Sequence, residues 1–222
     1  MPVAARTLML KAVGLVFTLG SLNVILVIFF PEAYTDFPIT LLLINLFIAV
    51  DYLARPLFSP SRKDQYKTRF LMLFLFAIPF LVTLPYLEHT FILRAIIPPE
   101  VTWAFWMLGT LMITLGGITL DMSRIILGGQ GSLKIGTEKD HKLITKGPYH
   151  VIRHPIYAGT LFLLLGYSLS FSSIIGSIIL ILILVPLGRS RMALEEKLLI
   201  QTFGDEYLNY MKRTKRLIPF IY

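Results

Sequence analysis

The chain has 222 residues, 55% of them hydrophobic and only 15% charged. A soluble domain of this size carries about 25% charge, so composition argues against a soluble globular domain and for a multi-span membrane protein. With no cysteine, disulfides, thiolate nucleophiles and cysteine-ligated zinc are excluded.

The net charge of +8 does not point to nucleic acid, because the basic residues fall in the gaps between apolar runs. Six runs follow in chain order: Ala12–Phe30, Phe37–Ala54, Phe70–Leu87, Val101–Leu120, Ile156–Ser170 and Ser172–Leu187. The first is read as a retained span rather than a cleaved signal. The fifth is short against the roughly 17 residues a crossing needs, so it is tilted, re-entrant, or half of a tight hairpin with the sixth. Pro79, Pro85 and Pro186 lie inside runs and are tolerable where neighbouring helices satisfy the freed carbonyls.

The gaps alternate in charge. The N-terminus carries two Lys/Arg, the second gap five, the fourth six and the tail seven, whereas Arg94 is alone in the remaining gaps. The spacing therefore predicts an all-α integral membrane protein of about six transmembrane helices. Both termini face the cytoplasm, and a cytoplasmic helical extension follows the last span. Two parts are expected: residues 1–120 as four spans, and residues 121–222 as a catalytic region of loop, helical hairpin and C-terminal helices. The host membrane is the cytoplasmic membrane, or the endoplasmic reticulum in a eukaryote.

Between the fourth and fifth runs lies a Gly-rich polar loop, Gly128–Lys146, which is not a dinucleotide fingerprint because Lys134 stands where a third glycine is needed. It leads into GPYHVIRHPIYAG, residues 147–159. Pro155 suits the first turn of a helix, and the residues before it lean extended. Tyr157 then falls on the first turn, and Ala158 and Gly159 permit close approach of a helix or ligand. Singly, Tyr149 and Tyr157 fit interfacial anchors, and Arg153, His150 and His154 fit ordinary interface residues. Together at a helix mouth they point to a polar site. The sixth run is expected to continue as helix to Phe203, with Gly204 as stop and Asp205 as cap of a short final helix. Arg191 and Glu195, four apart, share a face, and Glu196 points about a quarter turn away.

These motifs resemble the isoprenylcysteine carboxyl methyltransferase family and related membrane methyltransferases, over about the last 85 residues. The family pattern H-x-L-V-T-x-G-x-Y matches His141-Lys142-Leu143-Ile144-Thr145-Lys146-Gly147-Pro148-Tyr149, and R-H-P-x-Y-x-G matches Arg153-His154-Pro155-Ile156-Tyr157-Ala158-Gly159. R-x-x-x-E-E matches Arg191 with Glu195-Glu196, F-G-x-E-Y matches Phe203 to Tyr207, and a basic stretch precedes Leu217-Ile218-Pro219-Phe220-Ile221. The resemblance implies S-adenosylmethionine as methyl donor, held by His141, Leu143, Ile144, Tyr149, His154, Tyr157 and Glu195, with Lys134 as a weaker addition. It implies Arg191 at the acceptor carboxylate; Glu196 is a further substrate-binding candidate and, with His154, a candidate base should the acceptor be an amine. Arg153 is a second catalytic candidate, suited to the donor's carboxylate. No metal is expected. The acceptor implied is a prenylated cysteine carboxylate, with a phospholipid amine or small thiol as variants; membrane lipids are the other partners.

Two further readings stand beside this one. NADPH-dependent sterol or steroid-type membrane reductases share the His-Pro-x-Tyr turn and an I-P-x-I-Y ending, which Ile218–Tyr222 matches. The Glu195-Glu196 pair favours the methyltransferase. A non-catalytic lipid-binding membrane protein is the third.

Overall fold

The computed structural model describes residues 30–54, 83–128 and 142–218, with shorter stretches between 9 and 28. Among the described residues the secondary structure is helical apart from one bridge. A short helix α1 (Glu32–Asp36) precedes α2 (Pro38–Ala54), and a π-helical turn spans His89–Leu93. Then follow α3 (Pro99–Leu127), a 3₁₀ turn (Gly147–His150), α4 (Pro155–Ser170), α5 (Ile174–Phe203) and α6 (Asp205–Arg213).

Helices α3 and α5, of 29 and 30 residues, are long and apolar enough to cross a membrane; α2 and α4 are shorter apolar helices of 17 and 16 residues. At 1.5 Å per residue α4 is about 24 Å long. The outward surfaces are oily where a soluble helix would be polar: Trp103 is 62% exposed and Leu182 67%. The third apolar run falls mostly outside the described residues.

Prolines and glycines set the local boundaries. Pro155 opens α4 as the sequence predicts. Helix α5 runs unbroken through Pro186 to Phe203 and stops at Gly204, whose φ of 52° is in the left-handed region. Asp205 is not the cap expected of it: Gly204 takes that position, and α6 starts at Asp205 without a side-chain cap. The positive-φ glycine that ends one helix also starts the next, leaving Asp205 inside the first turn, where its charge still suits the helix dipole.

Helices α3 and α4 pack antiparallel through two glycine pairs seven residues apart on each helix. A Cβ on Gly116 would sit 2.8 Å from the Gly159 carbonyl oxygen, and one on Gly166 would sit 2.6 Å from that of Gly109. Without side chains the backbones approach closely, the packing that substitutes for a hydrophobic driving force in lipid. The expected close approach at Gly159 is thus made by a helix.

Side-chain contacts tie the ends of these helices together. At one end Arg124 Nε donates to Asp51 Oδ1 at 2.9 Å, joining the last turns of α2 and α3. At the other, Phe37, Tyr86 and Tyr167 pack around Phe171, with ring centroids 4.5 to 5.8 Å away. There Glu88 reaches the start of α5: its Oε1 accepts from Ile175 N at 3.0 Å and its Oε2 from Gly176 N at 2.9 Å and from Ser173 Oγ. A carboxylate 85 residues away from Ser173 thereby satisfies amide groups that the helix leaves unpaired.

Candidate active site

The site forms where the mouth of α4 meets the part of α5 beyond Pro186. Its approach is not simply extended: Gly147–His150 makes a 3₁₀ turn, and Val151–Arg153 then runs beside residues 214–216. Lys215 N donates to the Val151 carbonyl at 3.4 Å, Arg153 N to Lys215 at 2.8 Å and His154 N to Arg216 at 3.0 Å. This short parallel pairing fixes His154 immediately before the Pro155 turn.

Successive helix residues are about 100° apart, so Glu195 and Glu196 face different neighbours. Glu195 Oε1 accepts from Tyr157 Oη at 2.7 Å and from Arg191 Nε at 3.2 Å. Its Oε2 lies 3.7 Å from His154 Nδ1, and its side chain is 22% exposed. Arg191, one turn back on α5, is similarly half-buried. Glu195, Tyr157, Arg191 and His154 therefore form one cluster that solvent reaches.

Glu196 is buried. Its Oε1 accepts from Arg153 Nε at 3.0 Å, His154 Nε2 at 3.2 Å and Arg216 Nε at 3.1 Å, and its Oε2 accepts from Arg216 Nη2. Burial alone would raise this carboxyl, but hydrogen bonds from His154, Arg216 and Arg153 outweigh it and hold the group well below the usual carboxylate range. An ionised carboxylate only accepts, so His154 Nε2 carries a proton and Nδ1 is the ring nitrogen turned toward Glu195.

The sequence-predicted residues separate by position. His154, Tyr157, Arg191 and Glu195 come together. Arg153 points inward, its Nη1 donating to the carbonyls of Met211, at 3.1 Å, and Thr214. Glu196 is spent on Arg153, Arg216 and the His154 ring rather than turned outward. Tyr149 is buried: its hydroxyl donates to the Ser123 carbonyl at 3.4 Å, and its own carbonyl accepts from Tyr210 Oη at 2.6 Å. Burial pushes the Tyr210 phenol up to about 12, so it stays a donor at neutral pH. Leu143 and Ile144 are half-buried in an irregular segment. Lys134 and His141 lie outside the described residues.

Arg216 was given no role by sequence reasoning, although it grips Glu196 with two nitrogens. Its signal was its place as the basic residue directly ahead of Leu217-Ile218-Pro219-Phe220-Ile221. Asp51, Glu88 and Asp121, also missed, carried a clearer one: buried acids at the ends of apolar runs.

Comparison with known proteins bears on the family and the fold. A family model described as phospholipid methyltransferase matches residues 104–206. Protein-S-isoprenylcysteine O-methyltransferase B of Arabidopsis thaliana is 34% identical over 122 residues, 54% of this chain; the chain spans only about three fifths (61%) of that protein. A probable protein-S-isoprenylcysteine O-methyltransferase of Oryza sativa subsp. indica is 30% identical over 139 residues, covering 61% of this chain and 72% of the rice protein. A solved structure of a eukaryotic intramembrane Ras methyltransferase, an isoprenylcysteine carboxyl methyltransferase, superposes on the whole chain and on 88% of its own length, with a TM-score of 0.60. At 19% identity that likeness concerns the fold, which is an intramembrane one. With nearly three quarters of the rice relative matched, this chain belongs to the protein-S-isoprenylcysteine O-methyltransferase family.

Proposed function

We propose that this chain moves a methyl group from S-adenosylmethionine to the C-terminal carboxylate of a prenylated cysteine, at the cytoplasmic face of a membrane. The observation that carries the reading is the half-exposed Glu195 carboxylate, held by Tyr157 and Arg191 beside His154 at the mouth of α4.

The residues fit the donor's chemistry. Glu195 is an acceptor-only group, and Oε2 has just one long contact among the described residues, so it suits an ammonium or ribose hydroxyls. Leu143 and Ile144, which the family resemblance implicates, offer half-buried apolar side chains for a purine, and Tyr157 and His154 stand at the mouth of α4. When bound, S-adenosylmethionine supplies an electrophilic methyl on a sulfonium. The protein's part is to orient and to exclude water. A C-terminal carboxylate is ionised at pH 7, so no general base is needed. Arg191 would hold the anion by hydrogen bonds without giving it a proton.

The topology proposed is six crossings with both termini cytoplasmic. It is supported by the end-to-end pairings: Asp51–Arg124 joins the ends that the positive gaps assign to the cytoplasm, while Glu88–Ser173 and the contacts of Arg94 with Glu32 and Asp36 join the opposite ends. In this arrangement residues 121–222 carry the methyl-transfer elements and residues 1–120 supply four spans, in the cytoplasmic membrane or the endoplasmic reticulum.

A second reading has one specific support, the phospholipid methyltransferase family model. A phospholipid amine would need a base, for which His154 Nδ1 is the nearest candidate. Incubation with labelled methyl donor and a panel including a farnesylated cysteine analogue and phosphatidylethanolamine decides between them. Base-labile label on the farnesylated cysteine is expected. Label on the amine alone, or NADPH oxidation without methyl transfer, would overturn the proposal.

A further inference from the structure

The C-terminal strap that pairs with Val151–Arg153 forms the wall of two adjoining cavities of opposite character. One is a cleft of about 340 Å³ lined by Arg153, Thr214 and the basic residues Lys212, Arg213, Lys215 and Arg216. The other is an apolar groove of about 310 Å³, lined by Leu115, Thr119, Val151, Phe162, Leu217 and Ile218 among others. Each strand changes character within a single residue step, in opposite directions along the parallel pair. Ile152 and Leu217 line the groove, and their neighbours Arg153 and Arg216 line the cleft. The groove runs along the first two turns of α4, over Ala158, Gly159 and Phe162, while the cleft opens on the side of the charged tail.

The cleft's charge is partly committed. Arg153 and Arg216 are held on Glu196. Lys212, Arg213 and Lys215 are exposed and have no carboxylate partner among the described residues. Three cations without a carboxylate partner among the described residues, placed by the proposed topology on the cytoplasmic side and next to an apolar slot one or two helical turns long, complement a molecule with a phosphate at one end and a hydrocarbon chain at the other.

We infer that this strap is a binding site for an anionic phospholipid of the inner leaflet, its phosphate on Lys212, Arg213 and Lys215 and one acyl chain in the groove beside Phe162 and Ile218. The site is separate from the Glu195 cluster and does not depend on which acceptor is methylated. It places the strap, and through Arg216 the Glu196 cage, in contact with the bilayer surface.

The test is lipid retention. The full chain is reconstituted in nanodiscs of equal phosphatidylglycerol and phosphatidylcholine, extracted in mild detergent, and its bound lipid counted by native mass spectrometry. Phosphatidylglycerol is expected to be enriched roughly tenfold over phosphatidylcholine, falling to the bulk ratio in the K212Q/R213Q/K215Q variant and at about 1 M salt. A V151S/I218S variant, altering two exposed groove residues, should retain less of either lipid. Equal retention of the two lipids by the wild type, or undiminished preference in the triple variant, overturns the inference. So does stoichiometric displacement of the phosphatidylglycerol by a farnesylated cysteine analogue, which would assign the groove to the methyl acceptor.

Discussion

Tyr157, on the first turn of α4, donates a 2.7 Å hydrogen bond to Glu195, 38 residues away on α5. The bond spans the junction between the mouth of α4 and the part of α5 beyond Pro186, and it leaves the carboxylate partly open to solvent. The adjacent Glu196 has the opposite environment, buried in a cage of Arg153, His154 and Arg216. Two neighbouring glutamates are thus expected to give opposite phenotypes.

Glu195→Gln should weaken the methyl donor and leave the fold intact. Hydrogen bonds to charged groups contribute about 1.5–3 kcal/mol, so the donor's dissociation constant should rise about 10- to 150-fold, with a smaller rise for Tyr157→Phe, which only loosens the carboxylate. Equilibrium binding of labelled donor measures both, and thermal unfolding in detergent should barely move.

Glu196→Gln should do the reverse. Removing one side of a buried ion cluster costs about 3–5 kcal/mol because the remaining charges are left unpaired, so the unfolding midpoint should drop sharply. The same carboxylate sets an acid limit. Its folded-state pKa lies below the unfolded value, so its stabilisation is fully present above about pH 4.3 and is lost as pH falls from there toward the folded value. The wild type should lose stability on acidification through that window, and Glu196→Gln should show a flatter limb. An identical acid limb in both would remove Glu196 from this role.

What the sequence disclosed here was local. Pro155 starting α4, the continuation of α5 past Pro186 and its stop at Gly204 follow from single residues acting within a turn. The quarter-turn difference between Glu195 and Glu196 follows from helix geometry. The partners did not follow. Arg153 reads as a donor-binding cation until the fold places the Met211 and Thr214 carbonyls against it. Arg216 reads as one more tail charge until the strap brings it 20 residues back to Glu196. Gly159 announced a close approach, but nothing near it in the chain named Gly116 as the backbone it approaches. Even a local rule erred at Asp205, because Gly204 had already taken the cap.

Gly116 and Gly159 should tolerate no side chain. A methyl on Gly116 would lie 2.5 Å from Leu163 N and 2.8 Å from Gly159 O, and both are backbone atoms that cannot swing aside. Gly116→Ala should lower stability by about 1–3 kcal/mol, and Gly116→Val by more, read as a lower unfolding midpoint and poorer monodispersity. Gly20, where a Cβ would meet nothing within 4 Å, is the matched control and should accept alanine without loss.

Substitutions at Arg191 can distinguish donor binding from acceptor binding. Arg191 Nε donates to Glu195 at 3.2 Å, so one substitution can act through either reactant. If the guanidinium holds the acceptor carboxylate, Arg191→Ala removes a charge-assisted hydrogen bond of about 1.5–3 kcal/mol. The acceptor KM should then rise about 10- to 150-fold, while the donor's dissociation constant shifts far less than in Glu195→Gln. Arg191→Lys keeps the charge but not the planar fork and should recover only part of the loss. Measuring acceptor KM and donor binding on the same preparations decides it: a raised donor constant with an unchanged acceptor KM would make Arg191 a support for Glu195 rather than a contact of the methyl acceptor.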